Sequence, residues 1–181
     1  MKRTLLLVTI ILWSAELSAQ NPFYQGKTIT VISTSSAGSA YDIYARLVAQ
    51  FMGRHIPGNP NFIVQNMAGA GSLIGTNYLY GLAKGDGTVI GGLQPSMYFN
   101  QLYKQPEAKY DWAKFNWLGS SDQSESLLYM RADLPYKTLA DVRKAKEPPK
   151  CGSTGPGTSG TYMPKLLEEL LGTKFTIISG Y

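Results

Sequence analysis

Residues 29–46 read ITVISTSSAGSAYDIYAR: a β-branched run, a stretch of small residues, then the opening turns of a helix. Ile29, Val31 and Ile32 have the density of an inner strand. Ser33 to Ala40 supplies small residues whose backbone N–H groups can converge on one point. The helix that follows puts Ile43, Leu47 and Phe51 on one stripe with Tyr44 and Val48 beside them, and this stripe is the expected buried face. Its N-terminus, with unpaired N–H groups and the positive end of the helix dipole, suits an anion.

The same device recurs down the chain. Asn61–Asn66 reads as a second strand, NMAGAG at 66–71 as a second glycine turn, and Ile74, Tyr78 and Leu82 stack along one face of a second helix. Val89–Leu93 is a third strand, and Met97–Tyr103 a short helix. Asn116–Ser120 and Leu127–Met130 read as further strands. Thr138 to Asp141, T-x-x-D, opens a capped helix to about Lys146, stopped by Pro148 and Pro149. The device then appears a third time, with strand Lys150–Ser153, turn Thr154–Ser159 and helix Gly160–Leu171, closed by Gly172 and followed by strand Phe175–Ser179. Strands alternating with helices imply an α/β fold with mainly parallel sheets and ligands at the carboxyl ends of the strands.

Composition narrows the function. Lys2 and Arg3 precede the apolar run Leu5 to Trp13, which is too short to span a bilayer and has the form of a secretory signal, so residues 1–19 are expected to be removed on export. The chain carries 17 basic and 12 acidic residues, and without Lys2, Arg3 and Glu16 the balance is 15 to 11. The basic residues are scattered, so no nucleic-acid partner is expected. One cysteine, Cys151, cannot form an intrachain disulfide, and with a single histidine, His55, no zinc cluster is expected.

The glycine turns do not fit catalytic motifs. Gly69, Gly71 and Gly75 miss G-x-G-x-x-G by one residue, and no carboxylate ends the next strand. Gly26, Lys27 and Thr28 precede a strand instead of following it, which excludes a P-loop. Gly157-Thr158-Ser159-Gly160 is not a nucleophile elbow, and the one available base, His55, lies in a proline-rich connector where a surface or capping role is expected. Asp42 keeps two roles open: a first-turn carboxylate paired with Arg46 at i+4, or an acceptor for a ligand amino or hydroxyl group. Tyr41 is either a surface aromatic or a ligand lid; Cys151 reads as a small buried hydrophobe. Gly69 and Gly71 suit tight packing or ligand contact equally.

Several pieces in order carry a resemblance: GSAYDIYARL at 38–47, GRHIPGNP at 53–60, VQNMAGAG at 64–71, DGTVI at 86–90, KFNWLGS at 114–120, LADV at 139–142 and GPGTS at 155–159. Their order and spacing resemble the substrate-binding receptors of tripartite tricarboxylate transporters, the Bug-type periplasmic proteins. The first turn departs from the glycine run common there, and the family continues where this chain stops. The resemblance implies a type II periplasmic-binding-protein fold with a first α/β lobe at 20–126 and a partial second lobe at 127–181. It implies no catalysis and no cofactor, a small-molecule carboxylate as ligand, and the membrane permease subunits of such a transporter as partner. The ligand-binding residues it implies are Ser36, Ala37, Gly38, Ser39, Tyr41 and Asp42 in the first turn, and Thr154, Gly155, Gly157, Thr158 and Ser159 in the second. The donors would be the N–H groups of Ala37, Gly38 and Ser39 and the hydroxyls of Ser36, Ser39, Thr158 and Ser159.

The competing class is an exported α/β enzyme acting on a small carboxylated or phosphorylated substrate, which would need a nucleophile with a base or paired carboxylates. A third reading is a non-binding remnant of a receptor. On that view residues 20–181 melt broadly, bind an apolar dye and show no saturable carboxylate binding. In a binding-competent receptor Gly38→Val is expected to crowd the anion and Gly75→Ala to leave binding intact.

Overall fold

The computed structural model describes residues 21–121, 123, 127–155 and 157–180. The signal reading of residues 1–19 lies outside them. Strand β1 (Thr28–Ser33) is central in a three-stranded parallel sheet, flanked by β2 (Asn61–Asn66) and β3 (Val89–Gly92). Ile29, Val31 and Ile32 are all buried, as the β-branched run requires. The chain moves from β1 to one side and then across to the other, so the carboxyl ends of β1 and β3 flank a switch point where parallel sheets take ligands.

Helix α1 (Ala40–Met52) connects β1 to β2, and its orientation corrects the sequence reading. Ile43, Leu47 and Phe51 face outward, 52, 45 and 43% exposed, while Asp42 and Ala45 are the buried pair. The cause is close approach. Ala45 Cβ would lie 3.6 Å from a Cβ built on Gly92, a fit that large side chains on that face would prevent. Helix α2 (Leu73–Gly81) behaves alike: Leu73, Gly75 and Thr76 are buried, whereas Ile74 and Leu82 of the expected stripe point outward. A Cβ on Gly75 would come within 2.8 Å of both the Met67 carbonyl and Thr34 Cγ2, so the glycine lets α2 rest against the strand ends.

Helix α3 (Met97–Leu102) follows β3, and Met97 packs with Leu73 and Tyr110 in a core cluster extended by Ala108, Trp112 and Phe115. Neither strand expected at Asn116–Ser120 or Leu127–Met130 forms. Leu118, Leu127 and Tyr129 are 73, 82 and 90% exposed, and apolar residues alone make no strand where no sheet edge receives their backbone groups.

Helix α4 (Leu139–Lys144) opens on the expected capping box, with Thr138 and Asp141 exchanging side-chain to backbone hydrogen bonds. Strand β4 (Lys150–Ser153) pairs in parallel with β5 (Thr176–Ser179) as a separate two-stranded sheet. Helix α5 (Ser159–Leu171) joins them and ends at Gly172, whose φ of +64° is the left-handed cap expected of glycine. Cys151 is half-buried in β4, and burial pushes its thiol up from the ordinary value. His55 is exposed in the 3₁₀ turn Gly53–His55.

Candidate functional site

The turn after β1 is built by hydroxyls and one carboxylate. Ser35 is buried, with its Oγ 3.3 Å from Ser33 Oγ and 2.8 Å from Ser39 Oγ. Ser39 is the N-cap of α1, and its Oγ accepts from the Asp42 N–H at 3.4 Å. Thr34 donates its hydroxyl to the Gly92 carbonyl at 3.0 Å and so fastens the turn to β3.

Asp42 is fully buried and holds the turn from within. Its Oδ2 accepts from the Gly38 N–H at 2.8 Å and from Arg46 Nε at 2.9 Å, and its Oδ1 accepts from Asn66 Nδ2 at 2.6 Å. Asn66 also donates to the Ser35 carbonyl at 3.1 Å and accepts from Arg46 Nη2 at 3.0 Å. The Gly38 N–H, the Arg46 guanidinium and the Asn66 amide hold the carboxyl well below the usual carboxylate range, with burial opposing them. The expected pairing with Arg46 at i+4 is formed.

This wiring determines which predicted donors face outward. The Gly38 N–H is taken by Asp42, the Ser39 N–H by the Ser36 carbonyl at 3.1 Å, and Ser39 Oγ by Ser35 and Asp42. Among the described residues Ala37 alone of the three N–H donors has no protein acceptor, and Ser36, Ala37 and Gly38 are exposed. Tyr41 is 42% exposed at the mouth of the turn. Gly38 adopts φ +80° with nothing within 4 Å of a built Cβ.

The turn after β4 repeats the plan with threonine. The Gly155 carbonyl accepts the hydroxyls of Thr158 and Thr161 at 2.8 Å each, and Ser153 Oγ lies 3.1 and 2.7 Å from the same two oxygens. Thr158 is the N-cap of α5, buried, with its hydroxyl turned inward instead of capping the helix. Thr154 and Ser159 are exposed; Gly155 and Gly157 are buried.

The second turn rests on Gly71, which the sequence singled out, and on Asn100 and Tyr162, which it did not. A Cβ on Gly71 would meet Thr158 Cγ2 at 3.3 Å and the Gly157 N at 3.4 Å, and one on Gly157 would meet Asn100 Nδ2 at 2.9 Å. It is therefore the turn after β2, together with α3, that meets the second turn, and the packing role of Gly71 is the one realised. Beside this contact Tyr162 donates its hydroxyl to Asn100 Oδ1, and its ring stacks on Tyr103 at 5.2 Å between centroids. Burial raises the Tyr162 phenol and pushes that of Tyr110 up to about 12, so both remain neutral donors, Tyr110 to the Met97 carbonyl at 2.7 Å. The glycines at 69–71 were a signal for this contact; Asn100 and Tyr162, 62 residues apart in sequence, gave none.

Two oxygen-rich turns at helix N-termini can hold a small polar or anionic molecule. Among the described residues no three His, Cys, Asp or Glu side chains gather to hold a metal ion.

No protein-family model matches the chain. It is similar to a UPF0065 protein from the TAR-I ttuE-ttuC' intergenic region of Agrobacterium vitis, with 31% identity over 186 residues, covering 96% of this chain and 50% of the relative. The chain thus spans about half the length of the curated relative it matches. Among solved structures it is similar to the periplasmic binding protein BugD, at 19% identity and a TM-score of 0.57, covering 86% of this chain and 52% of that one. A structure described as a periplasmic transporter matches at 22% identity and a TM-score of 0.62, covering 86% and 53%. The chain is a homologue of the UPF0065 protein and carries, over most of its own length and about half of theirs, the α/β fold of periplasmic binding proteins, as the Bug-type resemblance of its motifs implied.

Proposed function

We propose that the chain is part of a periplasmic solute-binding receptor for a small organic carboxylate, which it delivers to the permease subunits of a tripartite tricarboxylate-type transporter. In this reading residues 1–19 direct export, and residues 20–126 and 127–181 contribute to two lobes that meet over the ligand. The observation that carries the reading is the paired construction of the two turns. Each follows a parallel strand, opens a 13-residue helix and is lined with hydroxyls held by the protein itself.

Within that pair the exposed Ser36, Ala37, Thr154 and Ser159 would meet the carboxylate, with Tyr41 at the rim. Gly38, Ser39, Asp42, Gly155, Gly157 and Thr158 would fix the shape of the two turns. Burying an anion requires hydrogen-bond donors already in place, and a turn braced by a buried carboxylate and asparagine provides them without rearrangement. The likeness to BugD and the relationship to the UPF0065 protein support binding over catalysis, since neither turn brings a nucleophile to a base.

The carboxylate reading and the expectation of a non-binding remnant are separated by an experiment on the chain itself. Its thermal melt is followed with graded acetate, propionate, succinate, glucose and a cationic amine. Carboxylates at a hundredfold excess over Kd stabilise by about 2.7 kcal/mol. A response confined to glucose or the amine overturns the carboxylate reading, and a broad melt with no response to any of them is the outcome expected of a non-binding remnant. Intact-mass analysis of protein expressed in a Gram-negative host tests export; loss of about 19 residues is the expected result.

A further inference from the structure

Helix α2 buries Leu73, Gly75 and Thr76, which leaves Ile74, Tyr78 and Leu82 along its other side. Ile74 is 52% and Leu82 78% exposed, and with Met67, Tyr78, Asn77, Gly81 and Lys109 they line a groove of about 530 Å³. A contiguous apolar stripe open to water keeps its driving force for association.

The groove is framed by contacts that the chain makes with itself. Asn77 donates its amide to the Glu107 carbonyl at 2.8 Å and accepts from the Lys109 N–H at 2.9 Å, so the loop at 107–109 is fastened along the helix. Met67, whose carbonyl lies 2.8 Å from a Cβ built on Gly75, stands at the Ile74 end. A Cβ built on Gly81 meets nothing within 4 Å, so no neighbour fills the floor there. From Ile74 to Leu82 the helix rise gives about 12 Å, room for an extended acyl chain of about eight to ten carbons.

Charge complementarity selects the occupant. Lys109 is the one charged residue lining the groove, is exposed, and forms no ion pair among the described residues. Glu107, on the same loop, does not line it. The Asn77 amide is engaged by the loop, which leaves Lys109 and the Tyr78 hydroxyl to meet a polar head. A cationic amphiphile would bury its tail equally well but set like charge against Lys109. The chain's own apolar run Leu5–Trp13 has the same fault, since Lys2 and Arg3 precede it. An anionic amphiphile answers both the stripe and the ammonium.

We infer that the outer face of α2 is a second binding site, for a medium-chain fatty carboxylate whose acyl chain lies along Ile74, Tyr78 and Leu82 with its head at Lys109. The inference does not depend on the carboxylate reading of the two turns.

Calorimetry on the full chain tests it, with hexanoate, octanoate, decanoate and dodecanoate below their micelle-forming concentrations. Affinity is expected to rise about two- to fourfold with each added methylene up to decanoate and to level off at dodecanoate. Lys109→Gln is expected to weaken decanoate about three- to fivefold while leaving 1-decanol unchanged. Leu82→Gln, at a side chain already exposed, is expected to flatten the gain with chain length. Excess succinate is expected to leave decanoate bound. Affinity independent of chain length, equal binding of decyltrimethylammonium, or a Lys109→Gln variant that holds decanoate as wild type does overturns the proposal. Displacement of decanoate by succinate overturns it by placing the fatty acid at the turns. A chain that sediments as a dimer and takes up no decanoate also overturns it, because a second copy then fills the groove.

Discussion

Asn66 Nδ2 reaches Asp42 Oδ1 at 2.6 Å, joining the last residue of β2 to the first turn of α1. The same amide donates to the Ser35 carbonyl at 3.1 Å, so one side chain links strand, turn and helix. The geometry of the candidate anion turn is thus a property of the neighbouring strand as much as of its own sequence.

Asp42 should be visible in acid unfolding. Its folded pKa lies below the ordinary value of about 4, so its contribution to stability is fully present above that pH and lost as pH falls through the folded value. Asp42→Asn is therefore expected to be less stable than wild type at neutral pH, with the gap constant down to about pH 4 and narrowing below it. Denaturant unfolding of both proteins between pH 7 and 2 measures the gap, and a gap that widens on acidification would contradict this assignment.

The orientation of α1 predicts an asymmetry between adjacent faces. Ala45→Leu overpacks the contact with Gly92 and is expected to destabilise by about 1–3 kcal/mol. Leu47→Gln, on the exposed stripe, should stay within about 0.5 kcal/mol. Urea unfolding of the two variants decides the matter, and the opposite ranking would restore the stripe as the buried face.

Two glycines exchange the roles that sequence alone suggests. Gly75→Ala drives a methyl into the Met67 carbonyl and Thr34 and is expected to cost about 1–3 kcal/mol of stability. Gly38→Ala meets open space and should cost only the left-handed backbone penalty, about 1 kcal/mol. Gly75→Ala is therefore unsuited as a silent control in binding work, and thermal melts of the two variants check the order.

At the contact between α5 and α3, Tyr162→Phe leaves the buried Asn100 oxygen without its donor. A loss of about 1–3 kcal/mol is expected. Tyr103→Phe keeps the stacked ring and should change stability by less than about 0.5 kcal/mol. Equal effects would mean that ring packing, not the hydrogen bond, holds the contact.

Strand bounds were largely legible because short runs were bracketed by glycine, proline or asparagine: β2 and β4 fall on the residues expected, and β3 and β5 differ by one. The facing of α1 was not. The helix carries apolar residues on more than one side, and its inner face is decided by Gly92 and Asn66, residues remote in sequence. The segments at 116–120 and 127–130 misled for a related reason, since hydrophobicity signals a strand only where a partner edge exists. At the candidate site the two turns were readable from their small residues, whereas Asn100 and Tyr162 become visible only once α3 and α5 are brought together.

Where Gly71 approaches Gly157, main chain lies against main chain. The spacing there is set by main-chain atoms common to every amino acid and by one methyl, Thr158 Cγ2, so drift in the other surrounding residues leaves it unchanged unless it strikes the glycines or that threonine. Descendants of this chain could therefore exchange the neighbouring side chains, and with them the molecules they favour, while inheriting the same joint.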